Sequence, residues 1–115
     1  MNQEKLNNKL IDAAANNNEN YVRELIDLGA DVNATDDYNY TPLFKAAYNN
    51  NIDIAKLLIN NGAYVNKLNT HMKTALCVAA GVGNIDMVDM LIYNGADVNG
   101  RDNDGPYYYG LLREK

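Results

Sequence analysis

Short apolar runs at helical spacing come in pairs along this chain, and each pair closes on a polar turn. Residues 2–15 put Leu6, Leu10, Ile11 and Ala14 on one side and Asn7, Asn8, Lys9 and Asp12 on the other, which predicts a first helix. Asn16-Asn17-Asn18 breaks it. A second helix is expected over about 19–28: Asn18 suits its N-cap, and Glu19 suits the positive end of its dipole. Tyr21, Val22, Leu25 and Ile26 supply its apolar stripe. Gly29 then ends it, because a residue without a Cβ takes the left-handed conformation at little cost.

The pattern then returns. Residues 30–41 read as a loop or hairpin of turn formers (Asp31, Asn33, Asp36, Asp37, Asn39), with isolated Val32 pointing inward. Thr41-Pro42 opens the next helix, threonine as cap and proline where no N–H is needed. Leu43, Ala46 and Ala47 form its inner face, and the small alanines allow close helix approach. Asn51 and Asp53 repeat the cap-plus-acid start, Ile54, Ala55, Leu58 and Ile59 follow, and Gly62 stops the run. In the third copy Thr74-Ala75-Leu76 replaces Thr-Pro-Leu, and Gly81 and Gly83 follow Ala79-Ala80. Asn84 and Asp86 then lead into Met87, Val88, Leu91 and Ile92.

Equivalent positions lie 33 residues apart without insertion: Ala13/Ala46/Ala79, Asn18/Asn51/Asn84, Leu25/Leu58/Leu91, Gly29/Gly62/Gly95 and Asn33/Asn66/Asn99. Such a period predicts repeated helix pairs, each too small to bury its own apolar face and stable only when stacked. The first copy is richer in charge and amide, as a terminal unit needs. A fourth unit begins in phase at Arg101-Asp102-Asn103-Asp104-Gly105-Pro106, and Tyr107-Tyr108-Tyr109 follows. Pro106 is expected to start a short helix turning Tyr108, Leu111 and Leu112 toward the third copy as a cap. The alternative is that the chain is one segment of a longer array.

Three runs, Thr41-Pro42-Leu43-x-x-Ala46-Ala47, Asn51-Ile52-Asp53-Ile54-Ala55-x-Leu57-Leu58-Ile59 and Gly62-Ala63-x-Val65-Asn66, together resemble ankyrin repeats, and the resemblance covers residues 4–106. It implies an all-α solenoid of stacked helix–turn–helix units with hairpins projecting from one edge. The units would run over about 4–36, 37–69 and 70–102, with a partial unit at 103–115. Hairpins and first helices would line a concave surface. The chain departs from the family pattern at Phe44 and Cys77, where histidine is usual, and at Asn17 and Asn50, where only Gly83 keeps the glycine.

Composition narrows the function. A net charge of −5 and a pI near 4.6 argue against a nucleic-acid partner, since phosphate binding needs a Lys/Arg excess. No apolar run approaches the ~20 residues that span a bilayer, and the opening residues lack a signal-peptide layout. With Cys77 as its one cysteine the chain forms no internal disulfide, and cytoplasm is the expected compartment. Catalysis has little material. His71 and Cys77 are a single histidine and a single thiol on different elements, and nothing orients them as a nucleophile pair. Asp36-Asp37 and Asp102/Asp104 read as turn carboxylates rather than a metal site, and Gly81-Val82-Gly83 lacks the setting of a phosphate loop. No catalytic, cofactor or metal residues are expected.

Recognition remains. Carrying over the family's variable surface implies Asp37, Tyr38, Tyr40, Tyr48 and Asn49 in the second unit and Thr70, His71, Lys73, Gly81 and Val82 in the third. Ala15 and Asn16 join from the first unit, Asn103 and Asp104 from the tail. The three tyrosines form an aromatic patch of the kind that dominates interfaces, unless Tyr38 and Tyr40 only pack across neighbouring hairpins. The expectation is a monomeric, non-enzymatic module for a protein with a basic or polar surface. Alternatives are an inhibitor or immunity-type protein and a structural array segment. Asn33, Asn66 and Asn99 are expected to brace the hairpin bend; their other reading is the asparagine hydroxylated in some ankyrin repeats.

Overall fold

A computed structural model of the chain describes residues 2–98. Its helices are α1 (Gln3–Ala15), α2 (Glu19–Asp27), α3 (Pro42–Tyr48), α4 (Ile52–Asn60), α5 (Ala75–Gly81) and α6 (Ile85–Tyr93). No strand forms among the described residues. The expectations for Asn99, Asn103, Asp104 and the closing unit lie outside them.

Consecutive helices pair as α1–α2, α3–α4 and α5–α6, and the pairs stack. Helix α3 packs between α1 and α5, while α4 runs beside α2 and α6. Two helices of the inner row are short: α3 and α5 have 7 residues each, against 13 in α1. Isolated helices below ~12 residues are marginal in water, so these persist through their packing.

Residues at equal register share one core. Leu10, Leu43 and Leu76 are buried in it, as are Leu25, Leu58 and Leu91. Each such side chain contributes roughly 1.5–3 kcal/mol when withdrawn from water. The inner helices also bury small residues: Ala13, Ala14, Ala46, Ala47, Ala79 and Ala80 are all withdrawn from solvent. Val32 is buried too, as its apolar character among turn residues requires.

The ends of the helices show why the sequence stops them there. Thr41 Oγ1 accepts the N–H of Phe44, Thr74 Oγ1 that of Cys77, and Asn18 Oδ1 that of Tyr21. The outer helices run into Gly29, Gly62 and Gly95 at φ of 102°, 96° and 97°. Nothing lies within 4 Å of a Cβ built at Gly62, so the backbone angle, not crowding, calls for glycine there. Asn17 and Asn50 take the left-handed region at φ 57°, a conformation asparagine tolerates better than most residues.

Two asparagine series act differently from the sequence expectation. Asn51 precedes α4, but its side chain makes no cap bond. Its Nδ2 instead donates to the carbonyl of Ala14, 2.8 Å away at the end of α1, and Asn84 does the same for Ala47 at 3.2 Å. The last carbonyls of a helix lack an intrahelical partner; here the next unit supplies one to Ala14 and adds one to Ala47, which also accepts the Asn50 N–H.

The Asn33 series also reaches across units rather than bracing one bend. Asn33 Nδ2 donates to the Gly62 carbonyl and its Oδ1 accepts the N–H of Tyr64; Asn66 repeats both bonds on Gly95 and Asp97. In the first unit the task is divided. Gln3 Nε2 donates to the Gly29 carbonyl, and Asn7 Oδ1 accepts the N–H of Asp31. Register explains these bonds, because the turn after each outer helix lies beside the asparagine of the preceding unit.

Buried Asn51, 8% exposed, therefore ties α1 to α4. Asn51→Ala leaves the Ala14 carbonyl without a partner and is expected to destabilise the protein by about 1–3 kcal/mol in urea unfolding. An effect below about 0.5 kcal/mol would contradict this role.

Candidate functional site

The hairpin tips and the inner helices meet along one side of the stack, and their backbone is fixed by short polar side chains. Asp36 Oδ1 accepts the N–H groups of Tyr38 and Tyr40, and Asn69 Oδ1 those of His71 and Lys73. Each turn is closed by a backbone pair, Asp36 N–H to the Tyr40 carbonyl and Asn69 N–H to that of Lys73. Successive hairpins are linked at the Tyr38 carbonyl, which accepts from both the N–H and the hydroxyl of Thr70. Tyr38 thus meets its neighbour through its backbone, while its ring stays 61% exposed.

An aromatic series rises from the first of these turns. The Tyr38 and Tyr40 rings lie 6.3 Å apart between centroids, and Tyr40 lies 5.5 Å from Phe44. Phe44 is buried on α3, and one turn further on Tyr48 is 62% exposed. Lys45 extends across this wall. Its ammonium sits 4.9 Å from the centre of the Tyr40 ring and 3.5 Å from the second carboxylate oxygen of Asp36. Tyr40, Phe44, Lys45, Tyr48 and Val78 enclose an open cavity of about 310 Å³ between α3 and α5. That volume is at the small end of ligand pockets and suits one large side chain.

Of the residues expected at the site, Tyr40 and Tyr48 come together in this cavity and Tyr38 joins through Tyr40. Asp37 is exposed at the same turn and lines a second, polar concavity on its other side. Thr70 and His71 are exposed on the next hairpin, and Lys73 is half-buried. Asn49 and Val82 lie just beyond the ends of α3 and α5, outside the cavity wall, with the Asn49 amide bonded to the Lys45 carbonyl. Asp104 falls outside the described residues.

Three wall residues were not foreseen: Phe44, Lys45 and Val78. A signal existed, since Tyr40, Phe44 and Tyr48 are four apart and Val78 sits one period after Lys45. Met72 was also passed over. It occupies the hairpin position of Asn39 with φ of 63°, and its side chain is 54% exposed.

The arrangement offers contact area. Cys77 is buried on α5, its sulfur accepting from the Thr74 hydroxyl at 3.3 Å, whereas His71 is exposed on the hairpin. Among the described residues no three His, Cys, Asp or Glu side chains converge as a metal site, and no helix is long and apolar enough to cross a membrane.

A family model described as ankyrin repeats (3 copies) matches residues 10–102. The chain belongs to the ankyrin-repeat family. Its helix pairs and period are those of the family, whose members generally serve as protein–protein interaction modules and are typically non-enzymatic. No curated protein matches this ankyrin-repeat chain significantly.

The left-handed conformation costs a side chain such as methionine about 1–2 kcal/mol, and asparagine less. Met72→Asn is accordingly expected to raise stability by about 0.5–1 kcal/mol in urea unfolding. A loss of stability would show that Met72 packs in a way its exposure does not reveal.

Proposed function

We propose that this ankyrin-repeat protein is a non-enzymatic module that binds a partner protein through its hairpin and inner-helix face, working as a monomer in the cytoplasm. One observation carries the reading: an aromatic cavity opens beside exposed tyrosines, on the side where the hairpins meet the inner helices. Tyrosine gives a large contact area for the loss of few rotatable bonds, and such residues recur among those that dominate interface energy. The cavity gives a partner side chain somewhere to leave water. Asp37 and the net charge of −5 favour a basic or polar partner surface and disfavour nucleic acid.

The test must separate binding from folding. Tyr40 packs against Phe44 and Lys45, so it is left intact. A Tyr38→Ala/Tyr48→Ala variant removes the two exposed rings and is expected to keep the wild-type circular dichroism and urea midpoint. Quantitative affinity purification from the source cells is expected to show partners of the wild type depleted roughly tenfold or more on the variant. A folded variant that retains every partner undiminished would put the binding face elsewhere.

A further inference from the structure

The second concavity lies on the other side of the turn that walls the aromatic cavity. It is an open space of about 720 Å³ whose lining includes Glu4, Asn7, Asp36 and Asp37, with no lysine or arginine among the described lining residues. The 36–40 turn contributes Tyr40 to one hollow and Asp36 and Asp37 to the other. Lys45 joins the two, its ammonium held between the Tyr40 ring and Asp36. That contact partly neutralises Asp36, and it also engages the one cation at the aromatic cavity. Glu4 and Asp37 are exposed and have no ion-pair partner among the described residues. Uncompensated charge thus lies on the polar side and is negative, while the aromatic side is close to neutral.

Resting on the binding reading above, we propose a specific partner chemistry: a polypeptide segment that crosses the 36–40 turn. It places a bulky apolar side chain among Tyr40, Phe44, Tyr48 and Val78, and a lysine or arginine over Glu4 and Asp37. An acidic segment meets repulsion on the polar side and finds Lys45 already engaged. A purely apolar segment fills one hollow and leaves the carboxylates of the other facing its backbone. The apolar anchor supplies the burial, and the cation supplies orientation and a salt-sensitive on-rate.

The probe is a random peptide library displayed on phage and selected on the full chain. Peptides pairing Leu, Met, Phe or Trp with Arg or Lys are expected to be enriched, and to bind more weakly as salt rises. Tyr48→Ala is expected to weaken the selected peptides roughly tenfold. Glu4→Gln/Asp37→Asn is expected to weaken them by a similar factor and to flatten the salt dependence. Acidic selected peptides, or undiminished affinity in the acid-to-amide variant while Tyr48→Ala still weakens binding, would overturn this chemistry and leave the binding face standing. Failure to enrich any peptide, or indifference to both Tyr48→Ala and Tyr38→Ala, would overturn both.

Discussion

Everything in this molecule depends on the fact that its inner helices cannot exist alone. Helices α3 and α5 are 7 residues long, about two turns, and their buried faces carry more alanine than leucine. A two-turn helix gains too few backbone bonds to offset the cost of its own nucleation. What holds it is packing on its neighbours: α3 lies between α1 and α5, and α5 rests on α3 and α6. The stack is therefore the unit of folding, and a repeat is only a unit of sequence.

Polar side chains make this dependence directional. Asn51 and Asn84 carry the amide of one unit to a helix-end carbonyl of the unit before it. Asn33 and Asn66 clasp the turn of the unit after them with a donor and an acceptor at once. Because these bonds fix where each outer-helix turn sits beside the next, they also fix the spacing of the hairpins. The hairpin spacing places Tyr40 above α3 and Val78 opposite Lys45. The cavity is thus a property of two stacked units and is absent from either taken singly.

That distinction explains what the sequence made legible. Period, helix pairs, threonine caps and the glycine ends could be read because each rests on local residue chemistry or on register. The destination of the Asn51 amide could not, since asparagine before a helix serves equally well as its cap and only the position of α1 decides otherwise. Tyr40 and Tyr48 are among the positions implied by the family's variable surface; Phe44 reads from sequence only as a departure from the usual histidine, and Lys45 falls at an unassigned position of the motif. Met72 carries no such signal in the sequence, since only its backbone angle sets it apart. The expectation that Asn33 braces its own bend failed because the bend is already served: Asp31 Oδ1 accepts the N–H of Asn33, which frees the asparagine amide to reach the next unit.

The measurement that bears most directly on mutual dependence is a urea titration followed residue by residue by NMR, comparing Val22 in the first unit with Val88 in the third. Both are fully buried, at 0% exposure, so each reports the packing of its own end. One shared midpoint is expected for the two ends, and Leu58→Ala in the middle unit should lower both by the same amount. If the third unit stays folded while the first melts, or if the central substitution moves only its own signals, the units stand independently and the account is wrong.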